Sequence, residues 1–418
     1  MVVIKSYTEP TRPIRVVILG STGSIGVQAL DIIARNPDRF TVVGLCATGA
    51  NAQHLAQAAL DFDVEVIGVT LGTCAQDVQM HLLAGAQNRG FSQGERRIPE
   101  LVIGPDAPEQ LARMDADIVL NAIAGAAGLQ ATLATLSVGN KLALANKESL
   151  IIGGDLVKNI AFPGQIVPVD SEHSAIAQCL LAGKRSEVRK LIITASGGPF
   201  RGKSALELEE VSIADSLAHP TWKMGPLVTI NSATLVNKGL EVIEAHLLFD
   251  IAFNNIEVTV HPQSVVHSMV EFVDGSTIAQ ASPPDMRIPI AWGLSAGRDL
   301  FRVADVAPAC DWKSAATWEF MPLDELVFPA VGLARAAGEA GGTAPAVFNA
   351  ANESAVAAFL AGEISFTSIV VHIERILQSH LAGSSQDGPG SAYVSGNVLT
   401  LEDVLAADSW AREQRLNN

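Results

Sequence analysis

The stretch "IRVVILGSTGSIG", running from Ile14 to Gly26, constrains this chain more than any other. Ile14 to Leu19 is a continuous apolar run, as expected of a strand covered on both faces. Gly20, Gly23 and Gly26 follow as G-x-x-G-x-x-G, and an apolar-faced helix pattern extends from Val27 to Ile33. Glycines at a strand-to-helix turn let backbone N–H groups approach a pyrophosphate at the positive helix end. The bland alternative is an ordinary strand–helix turn; the flanking strand and helix favour the dinucleotide reading.

The same texture continues. "FTVVGLCA", "VEVIGVTL", "ELVIG", "ADIVLNAIAG" and "KLALANKESLIIGG" alternate with helical patterns, which predicts an α/β fold with an N-terminal doubly wound, Rossmann-like parallel sheet. "AGAQNRGFSQGERRIPE" reads as an exposed loop within it. From about Val167 the strands change character. "KLIITAS", "IEVTVHP" and "SVVHSMVEFVDGSTIAQAS", the last with a hairpin signal at Asp274-Gly275, predict an α+β catalytic domain with an open sheet. "VADVAPACDWKSAATWEFMPLD" reads as a connecting segment. Alanine-rich helical patterns from Phe328 onward predict a C-terminal helical bundle, broken by a flexible "AGSSQDGPGSAYVSG" loop. A chain of 418 residues is too long for one core. The expected spans are 1–168 for the dinucleotide, 169–300 for catalysis, 301–328 as linker and 329–418 as helical domain.

Composition excludes several functions. Hydrophobic residues make up 48% of the chain, yet no run is long and apolar enough to span a bilayer. The N-terminal "MVVIKSYTEPTRPIR" reads as a short tail without the apolar core of a secretory signal, so a cytoplasmic address is expected. Net charge is −16, from 28 basic and 44 acidic residues, which opposes nucleic acid and anionic membranes as partners. Any phosphorylated substrate needs a local positive site. The cysteines at 46, 74, 179 and 310 form no C-x-x-C pair; Cys46 and Cys179 read as core residues.

The second strand ends in Cys46-Ala47-Thr48-Gly49-Ala50-Asn51. NAD enzymes usually carry an acid there for the ribose 2′-hydroxyl, and an acid would repel a 2′-phosphate. Its absence favours NADP, although no Arg or Lys is present to grip the phosphate.

Polar side chains concentrate in a few stretches. "VPVDSEHSA" places Asp170 and Glu172 at the end of an apolar run. In extended backbone their i, i+2 spacing aims both one way. Helix capping is the plainer reading of this stretch alone and a metal site the sharper one. "ALANKESLI" brings Asn146, Lys147 and Glu148 to a strand-to-helix junction. "ITASGGPFRG" offers Ser196 in a glycine turn suited to phosphate or to an ordinary reversal. "AHPTWKMGP" carries His219, Trp222 and Gly225, as a lid or a buried loop. In "TINSATLVNKGLEVIEAHLLF", Ser232, Asn237, Lys238 and Glu241 lie within ten residues. As a helix, Asn237 and Glu241 share a face, and so do Lys238 and Glu241. Asp170, Glu172 and Glu241 would together give three hard oxygen ligands for Mg²⁺ or Mn²⁺, if the fold brings them together.

These stretches, with "VHPQSVVHSMVEF", "SPPDM" and "NAANE", resemble the 1-deoxy-D-xylulose 5-phosphate reductoisomerase family, in order from about Ile14 to the C-terminal helices. The resemblance implies NADPH- and metal-dependent rearrangement and reduction of 1-deoxy-D-xylulose 5-phosphate to 2-C-methyl-D-erythritol 4-phosphate, the first committed step of non-mevalonate isoprenoid synthesis, by a homodimer. It implies Asp170, Glu172 and Glu241 as metal ligands, and these with Lys147 and His219 as the catalytic set. Substrate positions would be Lys147, Ser171, Glu172, Ser196, His219, Trp222, Ser232, Asn237, Lys238 and Glu241, with Trp222 on a mobile flap. Dinucleotide positions would be Thr22, Gly23, Ser24, Ile25, Gly49, Ala50, Asn51, Asn146, Glu148 and Gly225, with Met286 behind the nicotinamide. Many family members have a lysine after the glycine of the second turn, where this chain has Ala50.

Two other readings compete. A semialdehyde dehydrogenase-like enzyme also opens on such a glycine turn but needs an activated cysteine. A dinucleotide-sensing regulator would need no acid triad, and a DNA-binding one would want a basic face.

Overall fold

The computed structural model describes residues 12–89, 98–222, 224–296, 301–383 and 388–415. The expected N-terminal tail, most of the loop after Asn88 and part of the 382–396 loop lie outside them. The described chain forms two compact units. The first comprises 1–146, 160–174 and 285–308, and the second 147–159, 175–284 and 309–418. Among the described residues, no helix is long and apolar enough to cross a membrane.

The first unit is built on seven parallel strands: β1 (Ile14–Leu19), β2 (Phe40–Ala47), β3 (Val66–Val69), β4 (Glu100–Ile103), β5 (Ile118–Asn121), β6 (Lys141–Leu144) and β7 (Ile166–Pro168). Their order is β4-β3-β2-β1-β5-β6-β7. Every adjacent pair is parallel. The apolar run at β1 is explained by its central place: Val16 to Leu19 are buried, with β2 on one side and β5 on the other. Strand order reverses direction between β1 and β5, which opens a crevice at their carboxyl ends. Helix Arg287–Ser295 returns from far downstream to pack on β5, β6 and β7, burying Ile290 and Leu294. The four consecutive spans expected from the sequence therefore give way to interleaved units, because this helix covers the parallel sheet rather than the open one.

The expected loop beginning at Ala84 is also corrected. Helix Ala75–Asn88 takes in its first five residues, burying Ala75, Val78, Leu82 and Ala86 at i, i+3 and i+4 spacing.

The second unit holds an open sheet ordered β11-β10-β8-β9-β12. Its strands are β8 (Val188–Ala195), β9 (Ile256–Val260), β10 (Val266–Phe272), β11 (Thr277–Ala281) and β12 (Met321–Pro322). β10 and β11 form the expected hairpin, with Gly275 in the left-handed region and Asp274 accepting from the Ser276 N–H at 2.9 Å. The expected connecting segment is pinned to the opposite edge. There β12 pairs with β9, the Phe320 ring stacks on His261 at 4.6 Å, and the Glu319 carbonyl lies 2.8 Å from His261 Nδ1.

The expected helical bundle consists of Ala330–Ala340, Ala344–Leu360, Phe366–Leu381 and Leu401–Glu413. It shares one core with helix Val236–Phe249: Leu240 and Ile243 belong to the same buried cluster as Val331, Phe348 and Ile373. Helix Val236–Phe249 is therefore held by the bundle as well as by the sheet.

One bundle residue makes the fold acid-sensitive. His372 is 4% exposed, and burial, reinforced by Arg375, pushes its pKa down to about 4. Between about 6.5 and 4 the unfolded chain takes up a proton that the folded chain refuses, so stability falls with pH across that window, by on the order of 3 kcal/mol. Denaturant melts near neutrality and near pH 4.5 should show this loss. His372→Leu should make the profile shallower, with His219, His267 and His380, also lowered by burial, retaining part of the slope; an unchanged slope in that variant would refute the assignment.

Candidate active site

The candidate side chains fall into two sets, one in each unit. In the first, the turn after β1 is shaped by sterics. A Cβ on Gly26 would stand 2.5 Å from the Gly20 carbonyl oxygen, and one on Gly20 would stand 2.5 Å from that of Ala122. Only bare backbone allows helix Ser24–Ala34 to start so close to the strand. That helix has no acid in its first turn, which leaves its positive end available to an anion. Thr22, Gly23, Ser24 and Ile25 are half-buried or exposed around this start.

After β2, Gly49 is left-handed, and the Asn51 side chain accepts from the His54 N–H as cap of helix Ala52–Asp61. Ala50 and Asn51 are exposed, with no basic side chain in the turn. After β6, Asn146 is buried; its N–H donates to the Asn121 carbonyl and its side chain to that of Gly125, at 2.9 Å each. Met286 precedes helix Arg287–Ser295. Beside it the Arg287 guanidinium grips both oxygens of Asp285, at 2.6 and 3.0 Å, holding that carboxyl below the usual carboxylate range.

Asp170 follows β7. Its Oδ1 accepts from the Glu172 N–H at 3.1 Å and meets His173 Nδ1 at 3.0 Å, while its carbonyl accepts from the Ser174 N–H. The capping role read from the sequence is thus present. The geometric premise is corrected: Glu172 already lies in helix Ser171–Cys179, so cap geometry and not strand alternation relates the two acids. Ser171 donates to the Glu172 carboxylate.

In the second unit, Glu241 is 1% exposed. Its Oε1 accepts from Lys147 Nζ at 3.1 Å and from the Asn237 amide, and its Oε2 accepts from Lys238. The Asn237 oxygen accepts from Lys147 at 3.2 Å, which fixes the amide's orientation. A buried carboxylate held by two ammonium groups is a pre-organised charge cluster. The helical spacing of Asn237, Lys238 and Glu241 is as expected. The preceding stretch is not one helix, however. Pro226–Ala233 and Val236–Phe249 are separated at Leu235, a buried non-glycine residue in the left-handed region. This break redirects the chain between Ser232 and Asn237.

Ser196, His219 and Ser232 form a second cluster. His219 Nδ1 accepts from the Thr221 and Trp222 N–H groups at 3.1 and 2.9 Å. The ring proton therefore sits on Nε2, which lies 3.2 Å from Ser196 Oγ and 3.1 Å from Ser232 Oγ. Burial lowers the His219 pKa, keeping the ring neutral. Each serine hydroxyl can then turn toward an incoming oxyanion. Gly198 makes this approach possible: with φ at +65°, a Cβ there would stand 2.8 Å from the Ser232 carbonyl oxygen. The Trp222 ring lies 6.3 Å from that of His267. Glu148 lies in the first turn of helix Lys147–Ile160, and Gly225 precedes helix Pro226–Ala233.

Neither buried cysteine suits nucleophilic catalysis. Burial raises the Cys46 thiol to about 12 and the Cys179 thiol to about 11, which argues against the semialdehyde dehydrogenase-like reading.

Comparison with known proteins identifies the family of the whole chain. The 1-deoxy-D-xylulose 5-phosphate reductoisomerase family matches residues 16–154, and its C-terminal domain descriptions match 166–249 and 281–414. The chain is 56% identical over 400 residues to the 1-deoxy-D-xylulose 5-phosphate reductoisomerase of Cutibacterium acnes, covering 96% of this chain and 97% of that one. The chain belongs to the 1-deoxy-D-xylulose 5-phosphate reductoisomerase family.

The relative from Kitasatospora griseola is 58% identical, with 95% of this chain and 97% of that one covered. The reductoisomerase from Zymomonas mobilis, solved in complex with NADPH, superposes with a TM-score of 0.83 at 40% identity, covering 96% and 97% of the two chains. A second reductoisomerase, solved with NADPH, fosmidomycin and magnesium, gives 0.82 at 35% identity, covering 96% of each. The charged and hydroxyl side chains singled out in the sequence fall in the two sets described above. Sequence reasoning missed Asn231 and Asn352, two buried amides in mutual contact, whose only signal was an asparagine inside an apolar helix.

Proposed function

We propose that this chain converts 1-deoxy-D-xylulose 5-phosphate to 2-C-methyl-D-erythritol 4-phosphate with NADPH and a divalent cation, Mg²⁺ or Mn²⁺. Identity of 56% across 96% of the chain to a reductoisomerase carries this reading. Three carboxylates, Asp170, Glu172 and Glu241, suit a hard cation, and capping hydrogen bonds already orient Asp170. When bound, the cation would polarise the substrate carbonyl, and the dinucleotide would supply the hydride that reduces the rearranged aldehyde.

The chain's own residues do the rest. Ser196, His219 and Ser232 hold the phosphate through neutral donors, and Asn237 and Lys238 extend that grip. This pins one end of the substrate and orients the reacting carbons at the other. Lys147, held by Asn237 and Glu241, places positive charge beside the developing oxyanion. Ser171 orients the Glu172 carboxylate, and Trp222 supplies an apolar wall that excludes water. Thr22, Gly23, Ser24 and Ile25 cradle the pyrophosphate. Gly49, Ala50 and Asn51 face the 2′-phosphate, Asn146, Glu148 and Gly225 contact the remainder, and Met286 backs the nicotinamide. The protein acts as a cytoplasmic homodimer, with the open sheet of β8 to β12 as its contact face and no nucleic-acid partner at a net charge of −16.

Purified protein should oxidise NADPH only when both 1-deoxy-D-xylulose 5-phosphate and Mg²⁺ or Mn²⁺ are supplied. Undiminished oxidation after exhaustive chelation would overturn the metal assignment. NADH should be the slower donor, since no acid follows β2; equal rates would overturn the cofactor choice.

A further inference from the structure

We infer that Asn352 is a positioning residue for Ser232, acting through Asn231, an inference that rests on the phosphate role proposed for the Ser196–His219–Ser232 cluster. Helix Ala344–Leu360 is apolar nearly all round; Ala346, Val347, Phe348, Ala350, Ala351, Ala355, Val356 and Phe359 are all buried. Asn352 sits among them with no exposure. Its amide nitrogen donates to Asn231 Oδ1 at 3.0 Å, 121 residues away in sequence. Its own oxygen, also buried, has no hydrogen-bond partner among the described residues. A carbonyl left in that state opposes folding, and an aliphatic side chain of similar volume would pack there without the penalty. What Asn352 adds over such a side chain is the hydrogen bond to Asn231.

That contact falls on the residue before Ser232. Both lie in the short helix Pro226–Ala233, which follows Gly225 without a side-chain cap and closes at Thr234, one residue before the left-handed Leu235. Ile230 and Ala233 seat it in the apolar core, and the Asn352 bond adds a directional contact at Asn231. Successive residues of a helix project about 100° apart, so holding Asn231 also sets the direction of Ser232. Ser232 in turn meets His219 Nε2 through its hydroxyl and crowds Gly198 with its carbonyl. The rest of the "NAANE" stretch anchors the far side: Asn349 donates to Glu353 at 3.0 Å, and Glu353 pairs with Arg412 of the last helix at 2.7 Å. The bundle thus reaches the residue beside Ser232 through one hydrogen bond, from a helix that is itself tied to the last helix of the chain.

A double-mutant cycle in the full-length enzyme tests this. Asn352→Ala and Asn231→Ala should each raise KM for 1-deoxy-D-xylulose 5-phosphate, and the inhibition constant of inorganic phosphate, by about fivefold, the scale of one lost neutral hydrogen bond. KM for NADPH should stay unchanged, and the double variant should be no worse than either single one. A lowered melting temperature with unaltered KM, or effects that multiply, would overturn the inference. Should Asn352→Ala fail to fold, Asn231→Ala gives the same KM reading alone. Ser232→Ala separates the two levels. If it leaves KM and phosphate inhibition unchanged, the phosphate reading fails and this inference falls with it. If it raises both while the asparagine variants raise neither, only the inference fails.

Discussion

Glu241→Gln should lose roughly a thousandfold or more in kcat while still binding NADPH. The change is nearly isosteric, so shape is not the cause. The wild-type carboxylate is almost fully buried and accepts from Lys147, Asn237 and Lys238. An amide turns one acceptor into a donor facing an ammonium group and removes the negative charge that both lysines share. Breaking a buried ion pair from one side lowers stability by about 3–5 kcal/mol; separately, losing about 4 kcal/mol of electrostatic stabilisation felt only in the transition state is about three orders of magnitude in rate. In the proposed mechanism the variant also loses one of three cation ligands. NADPH binding should survive, because the glycine turn and most dinucleotide positions belong to the other compact unit. Single-turnover kinetics and a fluorescence titration with NADPH would measure the two halves separately. Turnover within tenfold of wild type would remove Glu241 from the mechanism.

The second large effect is expected at Gly198. Gly198→Ala places a methyl group 2.8 Å from the Ser232 carbonyl oxygen, against backbone that cannot swing away as a side-chain end could. The short Pro226–Ala233 helix must shift, carrying the Ser232 hydroxyl off His219. We expect kcat/KM to fall about a hundredfold, the scale associated with a misplacement of about 1 Å. Gly202→Ala is the matched comparison. Gly202 is also left-handed, at φ +82°, but a Cβ there would meet nothing within 4 Å. It should lose about 1 kcal/mol of stability and keep its activity. Equal activity losses in both variants would mean that backbone strain, and not the contact with Ser232, explains Gly198.

Much of this was legible in the chain itself. The apolar run before "GSTGSIG" announced a central parallel strand, and Asp274-Gly275 announced a hairpin. Both signals are local. The features that escaped notice are non-local or run against propensity. Leu235 breaks a sequence whose i, i+4 pattern reads straight through, and nothing in a leucine announces a left-handed conformation. β12 is two residues long and exists only because β9 offers an edge. Helix Ala75–Asn88 was hidden by its polar outer face. The Asn231–Asn352 contact joins positions that no periodicity links. Asp170 and Glu172 were recognised as a pair for a reason the structure replaces, since a cap relates them.

The return of helix Arg287–Ser295 to the first sheet also bears on how the protein is made. A ribosome delivers β1 to β7 within the first 168 residues, but Ile290 and Leu294 arrive more than a hundred residues later. Until then the surface formed by β5, β6 and β7 has no cover from that helix. The nascent dinucleotide fold must wait, with an apolar face open, while much of the other unit is synthesised. A nascent chain stalled after β7 has cleared the ribosome exit but before residue 285 has done so should remain sensitive to protease in β6 and β7, and one stalled late enough for residue 296 to clear the exit should be protected there.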